Sequence, residues 1–508
     1  MAEPTDAMSP RLVKAAANSV KTVAVLGAAY GGKTAVTHLA ENLPKGWRVV
    51  AVDRNTDFNH VYVFPRLGVL PGHSHKGFIP YNKLFASFED SRRHLMLNAH
   101  VTKLGPTSLT LSKAFPEHGI DGDEPTLHFD YAIYALGSHM PAPINLWGPP
   151  IDEEAAPATV PEPVAPPKTP GLESVQPWGG PALSEVTTAV SPVEDEVPYT
   201  SDVGTKPAGV EWLDRSQKHI ERAPSVLVVG GGALGIQYAT DIAEIYPDKA
   251  VTLLHSRPRL LPRFDESMHD EIMSAMSSLN VNTILGDRLD LSGPPKSERN
   301  KDGILEHIVR TVSGREIRAS VVLLCTGQRP NTELVRPFLP ESIVPHGPSK
   351  GMIRVKRSLQ IGVPLEPSAD TLANGLTKLS VTSQSEDSED DIEPELDVPY
   401  PHWFAVGDAA DTFGAINAGH TAYAQALVAA NNVLKLVHAE ESSSLSPVEL
   451  EEYHPGAPGI KMSIGRNKLL YQIGDQIGKT EECPDDLQAP FMWNFMLGRD
   501  VPEEEMYE

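Results

Sequence analysis

The sequence predicts an α/β fold built from two similar units, because one strand–turn–helix pattern occurs twice in its 508 residues. Each pattern begins with a short apolar run rich in Val, passes through a glycine-rich turn, and continues into a stretch with helical spacing of apolar residues. The turns are GAAYGG at residues 27–32 and GGGALG at residues 230–235. Because such runs favour buried parallel strands, each pattern predicts a Rossmann-like domain.

Small residues in such turns let the backbone approach the pyrophosphate of a dinucleotide, whose charge is stabilised by N–H groups at the helix N-terminus. The sequence therefore predicts two dinucleotide sites, whose simplest joint use is electron transfer. Ala29 stands where the second glycine of the pattern is expected. The candidate contacts are Gly27, Ala29 and Gly32 in the first turn and Gly230, Gly232 and Gly235 in the second.

The residue that ends the second strand differs between the two units. Residues 49–52 form an apolar run that ends in Asp53, where a dinucleotide fold places the acid that binds the adenosine ribose. His255 occupies this position in the second unit, and Arg257 follows it. An acid repels a 2′-phosphate, whereas His255 and Arg257 can accept one. The first site therefore suits FAD and the second NADH or NADPH, unless His255 and Arg257 are ordinary surface residues.

Residues 27–34 also match the phosphate-loop pattern G-x-x-x-x-G-K-[ST], which is typical of ATPases and GTPases. Asp53 can be interpreted as the second carboxylate of such a protein. The second glycine turn has no lysine and favours the dinucleotide interpretation, in which Lys33 is predicted to be a solvated residue of the first helical turn. A phosphate-loop NTPase stays an alternative.

Composition limits the protein's environment. No apolar run approaches twenty residues, so no transmembrane segment is predicted. The two cysteines, Cys325 and Cys483, form no closely spaced pair, which favours a reducing compartment and excludes dithiol exchange chemistry. Cys325 is predicted to be a structural strand residue. We expect a cytoplasmic protein, with association to a mitochondrion or membrane left open, and no metal site.

The net charge of −24 is concentrated in two segments. Residues 149–209 contain ten acidic residues against two lysines, together with 13 of the 46 prolines. Residues 384–397 contain eight acidic residues and no basic one. Both segments predict disordered insertions. The rest of the chain is only mildly acidic and offers no basic surface for nucleic acid.

Two further kinds of motif follow the glycine turns. Residues 131–138 (YAIYALGS) and 320–327 (SVVLLCTG) are apolar runs that end in turns at Gly137 and Gly327. Residues 403–411 (WFAVGDAAD) place Gly407 and Asp408 after a third apolar run, and a helix is predicted over residues 421–437. These motifs resemble the strand-end turns and the G-D motif of flavoproteins that bind two dinucleotides. The resemblance implies that Asp408 binds the ribityl chain of FAD.

In this order the motifs resemble the pyridine-nucleotide FAD-dependent oxidoreductase superfamily, within it the apoptosis-inducing-factor-like and ferroptosis-suppressor-protein-like group, related to type II NADH dehydrogenases. The version here is fungal-looking, with long insertions. The resemblance implies that hydride passes from NAD(P)H to FAD and electrons pass to a quinone or similar small acceptor, without a redox disulfide. Gln237 departs from the glutamate usual in the group. His60 and His420 are candidates to line the acceptor side, unless they are packed or capping histidines; no catalytic residue is predicted.

Two other functions of the same fold stay open, a redox-sensing signalling flavoprotein and a biosynthetic flavoenzyme. Residues 490–497 (PFMWNFML) predict either packing against the flavin domain or a peripheral membrane contact. No oligomeric state is predicted. The predicted domains are an FAD domain at 15–148 and 346–437 with an insertion at 363–398, an insertion at 149–209, an NAD(P) domain at 210–345, and a small C-terminal region at 438–508.

Overall fold

The computed structural model describes residues 20–86, 88, 91–148, 203–292, 296–365, 395–443 and 446–508. Most of both predicted insertions lies outside this range. Their described ends are folded, since a helix begins at Lys206 and the strand Val363–Pro364 pairs antiparallel with Leu396–Asp397. The predicted ranges 149–209 and 363–398 are therefore too wide at these ends, where the backbone takes part in regular hydrogen bonding.

The chain divides into two compact units. The first unit comprises Met1–Arg54, Asn82–Ser138 and Pro330–Gly456, and the second comprises Asn55–Tyr81, His139–Arg329 and Ala457–Glu508. The first unit is discontinuous in sequence, as predicted for the FAD domain. The last segment of this unit begins at residue 330, whereas the prediction placed the second part of the FAD domain from residue 346. The predicted C-terminal region, 438–508, is divided between the two units after residue 456. Residues 55–81 belong to the second unit, which no feature of their composition indicated.

A five-stranded parallel sheet forms the centre of the first unit. Its spatial order is Trp403–Ala405, Tyr131–Tyr134, Lys21–Leu26, Trp47–Asp53 and Leu95–Asn98. The helices Tyr30–Asn42 and Gly419–Glu441 pack closely, since a Cβ atom added at Gly31 would lie 3.1 Å from the carbonyl oxygen of Ala422. Small residues on the second of these helices allow this approach.

The first unit also contains smaller elements around this sheet. One antiparallel sheet consists of the strands Val101–Gly105, Ser108–Leu111 and Thr126–His128. The short strands Ile353–Arg354 and Ala410–Asp411 pair in parallel. A short helix spans Val335–Phe338. The two-residue strands Ser138–His139 and Arg329–Pro330 lie where the chain passes from one unit to the other.

A four-stranded parallel sheet forms the centre of the second unit. Its order is Asn282–Leu285, Ala250–His255, Ser225–Val229 and Val321–Leu324. The helix Ala233–Ile245 buries Ile236, Ala239 and Ile242 in the core. The described part of this unit also contains the α-helices Phe64–Leu67, Lys206–Arg222, Glu266–Ser278 and Ala489–Leu497.

Three antiparallel groups complete the second unit. They are the pair Asp57–Asn59 and Phe78–Pro80, the sheet Lys296–Arg299, Leu305–Arg310 and Glu316–Ala319, and the sheet Gly459–Ser463, Leu469–Ile473 and Gln476–Thr480. The predicted α/β fold with two Rossmann-like domains is confirmed. Among the helices of the described ranges, none combines the length and the apolar character needed to cross a membrane.

Candidate functional site

The first glycine turn joins the strand Lys21–Leu26 to the helix Tyr30–Asn42. Gly27 has a φ of +88°, and a Cβ atom there would lie 2.5 Å from the carbonyl oxygen of Ala135. A Cβ atom at Gly32 would lie 1.9 Å from the carbonyl oxygen of Gly27. Only glycine fits at either position, so the turn is closed tightly against itself and against the strand-end turn that begins at Ala135.

The N-terminal cap of this helix is Ala29, whose side chain has no polar group. Its φ of −72° and ψ of −159° suit an ordinary L-residue, so alanine in place of glycine strains nothing in the backbone. The first N–H groups of the helix are therefore not capped by the side chain of this residue, and an anion can occupy that position.

Asp53 lies beside this turn. It ends the strand Trp47–Asp53, its side chain is buried, and its Oδ2 accepts a hydrogen bond of 2.8 Å from the backbone N–H of Ala28. The position of the predicted ribose-binding acid is thus adjacent to the predicted pyrophosphate turn.

Two further turns of the first unit are joined to each other. Gly137 and Gly407 have φ values of +63° and +73°. Asp408 accepts a 2.9 Å hydrogen bond at Oδ2 from the Ser138 hydroxyl, next to Gly137. The structure therefore brings together the predicted FAD residues Gly27, Gly137 and Asp408, because Gly27 contacts the same turn.

Two amide side chains that the sequence analysis did not single out hold these turns. Asn331 donates from Nδ2 to the Leu136 carbonyl at 2.8 Å and from its backbone N–H to the Gly137 carbonyl at 2.9 Å. Gln425 accepts at Oε1 from the Gly407 N–H at 2.7 Å. No local pattern marks either residue, because their partners are distant in sequence.

The second glycine turn repeats this construction. Gly230 has a φ of +124°, and a Cβ atom at Gly235 would lie 1.8 Å from the Gly230 carbonyl oxygen. A Cβ atom at Gly230 would lie 2.9 Å from the carbonyl oxygen of Cys325. At Gly232, the N-terminal cap of the helix Ala233–Ile245, an added Cβ atom meets nothing within 4 Å.

His255 takes the place of Asp53 in this unit. Its Nδ1 accepts a 3.1 Å hydrogen bond from the Gly231 N–H, so the ring proton is on Nε2 when the imidazole is neutral. Nε2 is buried. Burial lowers the pKa of His255, a hydrogen bond with the backbone of Arg259 opposes this lowering, and the charge of Arg257 adds to it. His255 is thus a neutral ring held against the turn, whereas Arg257 is exposed.

The second strand-end turn holds Cys325 and Gly327. The Cys325 N–H donates to the Val229 carbonyl at 2.9 Å, and Gly327 has a φ of +92°. Both cysteines of the chain are free thiols. Burial raises the pKa of Cys325 and also that of Cys483, so both thiols are protonated at neutral pH.

Lys33 corrects one prediction. It was predicted to be solvated, but it is only 8% exposed, and burial lowers the pKa of its ammonium group. The prediction was wrong because the first turn of the helix Tyr30–Asn42 is buried at Gly31, Gly32 and Lys33 rather than facing solvent.

The two candidate histidines of the acceptor side lie in different units. His60 belongs to the second unit, and burial lowers its pKa to about 4, so its ring is neutral at physiological pH. Its ring lies 6.1 Å from that of Phe58 and 6.2 Å from that of Tyr62, measured between centroids. His420 belongs to the first unit, next to the start of the helix Gly419–Glu441.

Gln237, the departure from the expected glutamate, is buried and donates from Nε2 to the Ser463 hydroxyl at 3.2 Å. One helical turn later, Asp241 forms a buried ion pair with Arg66 through two hydrogen bonds of 2.9 and 3.0 Å. Arg66 also donates to the Gly465 carbonyl at 2.8 Å. This network fixes the helix that follows the second glycine turn, a role that the sequence alone did not indicate.

The residues of both turns fit dinucleotides. Each turn is closed at positions where only glycine fits, ends at a helix N-terminus without a polar capping side chain, and is hydrogen-bonded by the side chain that ends the second strand. These are the features that a pyrophosphate and an adjoining ribose require.

Comparisons with known proteins agree with this geometry. Residues 164–365 match the family model described as pyridine nucleotide-disulphide oxidoreductase. The chain is 35% identical to Fe-regulated protein 8 of Mycosarcoma maydis over 94% of this chain and 95% of that protein. It is 25% identical to ferroptosis suppressor protein 1 of Taeniopygia guttata over 94% and 96%. The sulfide:quinone oxidoreductase of Aquifex aeolicus has a similar fold, with a TM-score of 0.57, 13% identity and coverage of 96% and 94%.

Proposed function

The chain belongs to the pyridine nucleotide-disulphide oxidoreductase family, and from that premise we propose that it passes electrons from NAD(P)H to a quinone or similar small acceptor without a redox disulfide. It is an FAD-dependent NAD(P)H oxidoreductase. Membership of this family argues against the alternative of a phosphate-loop NTPase, because the glycine turn before Lys33 is a dinucleotide-binding turn in such proteins. The observation that carries the proposal is the repeated glycine turn, in which each copy is hydrogen-bonded by the side chain that ends the second strand.

We assign FAD to the first unit. Gly27 and Gly32 leave room for the pyrophosphate at the start of the helix Tyr30–Asn42. We assign Asp53 to the adenosine ribose, because its carboxylate ends the second strand directly beside the turn. Asp408, oriented by Ser138, is the residue assigned to the ribityl chain.

We assign NAD(P)H to the second unit. Gly230 and Gly235 form the pyrophosphate turn, and Gly232 leaves space above the helix N-terminus. The guanidinium of Arg257 is exposed and can donate to a 2′-phosphate, and the neutral His255 adds no negative charge that would repel one, as a carboxylate would. NADPH is therefore expected to serve at least as well as NADH.

When bound, FAD would supply the two-electron chemistry between NAD(P)H and a quinone, in which one hydride from NAD(P)H and one proton from water give the quinol. The protein binds and orients the two dinucleotides. Neither thiol supports a disulfide step, since burial raises the pKa of both and the two lie far apart in sequence. His60 and His420 stay candidates to line the acceptor site.

The name of one similar protein motivates the choice of acceptor. The Aquifex aeolicus neighbour acts on sulfide and quinone, and it shares the fold at 13% identity. Ferroptosis suppressor protein 1 matches nearly the whole chain. A quinone is therefore the first acceptor to test, ahead of a dedicated metabolite.

The test uses purified full-length protein. We expect one FAD per chain, reduction by NADPH under anaerobic conditions, and rapid reoxidation by a soluble short-chain quinone with a matching yield of quinol. Gly235→Ala serves as the control, because it should keep FAD and lose reduction by NADPH. Protein that cannot be reconstituted with FAD would overturn the proposal. A reduced form that no quinone reoxidises would favour the redox-sensing alternative.

A peripheral membrane contact is a second, separate proposal. The helix Ala489–Leu497 buries Trp493, whose Nε1 donates to the Lys76 carbonyl at 2.9 Å within the second unit. Phe491 is 71% exposed on the same helix. We expect the protein to sediment with neutral lipid vesicles and Phe491→Ser to weaken this. Equal sedimentation of the two proteins would contradict a role for the helix.

A further inference from the structure

We propose that Asn331 and Gln425 are positioning residues of the first dinucleotide site, each holding one of the two turns that carry Gly137 and Asp408. Neither side chain is assigned to contact the dinucleotide. The inference rests on the assignment of FAD to the first unit, and it concerns how that site is shaped before FAD binds.

Asn331 is bound to the first of these turns at three points. Its side chain donates to the Leu136 carbonyl at 2.8 Å, its N–H donates to the Gly137 carbonyl at 2.9 Å, and its own carbonyl accepts from the Tyr134 hydroxyl at 2.7 Å. The turn held in this way is the one that Gly27 contacts through Ala135. Asn331 therefore fixes the surface against which the pyrophosphate turn packs.

Gln425 holds the second turn. Its side chain is 2% exposed, accepts from the Gly407 N–H at 2.7 Å, and donates to the Thr412 hydroxyl at 3.0 Å. Gly407 has a φ of +73°, a conformation that brings the chain round to Asp408. Without the amide oxygen of Gln425, the Gly407 N–H would lose its acceptor in a partly buried position, and the turn would be free to rotate.

The Ser138–Asp408 hydrogen bond of 2.9 Å joins the two turns. Asp408 is thus oriented from both sides, through Gln425 and Gly407 on one side and through Asn331, Gly137 and Ser138 on the other. A site held in this way loses less conformational entropy when the dinucleotide binds. Removal of either amide should therefore weaken FAD binding more than it weakens the fold.

The test measures FAD affinity of full-length apoprotein, by quenching of flavin fluorescence, together with the melting temperature of the apoprotein. Asn331→Ala and Gln425→Met should each raise the Kd for FAD about tenfold, the effect of one lost hydrogen bond of about 1.4 kcal/mol. Gln425→Glu keeps an acceptor for the Gly407 N–H and should restore most of the affinity. Tyr134→Phe tests the same turn with a smaller expected rise if Asn331→Ala does not fold.

Thr332→Val is the matched control. It removes a buried 2.6 Å hydrogen bond from Thr332 to the Gly351 carbonyl, next to Asn331 but away from both turns. We expect it to lower the melting temperature and to leave the Kd for FAD unchanged. If Asn331→Ala and Gln425→Met behave like Thr332→Val, the inference is wrong.

The double variant of Asn331→Ala with Gln425→Met tests the connection between the turns. The combined rise in Kd should be smaller than the product of the single effects, because one hydrogen bond joins the two turns. Independent effects that multiply fully would overturn this connection. Gly32→Ala separates the two proposals: if it abolishes FAD binding while both amide variants bind FAD like the wild type, only this inference fails. If Gly32→Ala keeps FAD, the assignment of FAD to the first unit fails.

Discussion

The two glycine turns share one construction and differ in one side chain. In both, the first glycine has a positive φ, +88° at Gly27 and +124° at Gly230. A Cβ atom added to the last glycine would lie less than 2 Å from the carbonyl oxygen of the first. In the first turn the Asp53 carboxylate accepts from a turn N–H at 2.8 Å. In the second the His255 imidazole accepts from the equivalent N–H at 3.1 Å.

This difference separates two roles of the residue that ends the second strand. The turn needs a hydrogen-bond acceptor at that position, and a carboxylate or an imidazole nitrogen can provide it. The charge of the residue is a separate property, and it bears on which ribose is accepted. The first turn thus has a carboxylate beside it, and the second has a neutral imidazole with the exposed Arg257 nearby.

The largest expected effects come from filling the turns. In Gly32→Ala the new methyl group would lie 1.9 Å from the Gly27 carbonyl oxygen, and in Gly235→Ala 1.8 Å from that of Gly230. Such overlap with backbone costs roughly 4 kcal/mol or more, which is about a thousandfold in affinity. Gly32→Ala should lose FAD, and Gly235→Ala should keep FAD and lose binding of NADP⁺ in titration calorimetry.

Gly232→Ala is the control for this prediction. A methyl group there meets nothing within 4 Å, and Ala29 occupies the equivalent position of the first turn. We expect a stable protein with FAD bound and NADP⁺ affinity within about threefold of the wild type. A loss as large as that of Gly235→Ala would show that space for the ligand, rather than closure of the turn, governs the site.

The second prediction tests whether the turn needs an acceptor. Asp53→Ala and His255→Ala each leave a turn N–H without its partner, which costs about 1–3 kcal/mol, or roughly tenfold to a hundredfold in affinity for the dinucleotide of that unit. Asp53→Asn and His255→Asn keep an oxygen near the N–H and should lose much less. Binding of FAD to the Asp53 variants and of NADP⁺ to the His255 variants gives the comparison, and equal losses for Ala and Asn would contradict it.

The strongest sequence predictions concern features that are local. The glycine turns, the strands before them and Asp53 lie within short segments whose backbone geometry depends on the residues themselves. Lys33 was placed wrongly because its burial depends on how the helix Tyr30–Asn42 packs in the folded unit, which the local sequence does not show. No pattern in residues 55–81 indicates that they belong to the second unit.

The two amides that hold the turns of the first site show a second limit. Asn331 follows a predicted strand-end turn, but its partners are Leu136 and Gly137 of the other strand-end turn. Gln425 is one polar residue among the alanines of a long helix. Hydrogen bonds between distant segments leave no periodic pattern, so the residues that orient a site are harder to find than those that line it.

The third prediction concerns the charge next to the second turn. Arg257→Ala should lower the ratio of kcat/KM for NADPH to that for NADH by about tenfold, because a charge-assisted bond to the 2′-phosphate is lost. His255→Asp should shift the ratio further in the same direction through repulsion of the phosphate. Arg259→Ala is the control, since its guanidinium is bound to the carbonyls of Pro262 and Phe264. A ratio unchanged by Arg257→Ala would show that this side chain does not face the 2′ position.

The smallest expected effect is that of Cys325→Ser. The residue follows the strand Val321–Leu324, and its backbone rather than its thiol contacts the second glycine turn, through a 2.9 Å hydrogen bond to Val229 and close packing against Gly230. Burial raises the pKa of the thiol, so no reactive thiolate forms near neutral pH. NADPH oxidation with a quinone should therefore stay within about twofold of the wild type, with a loss of about 1 kcal/mol in stability from burying a hydroxyl. Cys483→Ser should behave in the same way. Complete loss of turnover in Cys325→Ser with FAD still bound would contradict this prediction and would indicate a redox role for the thiol. The second turn would then differ from the first in chemistry as well as in charge.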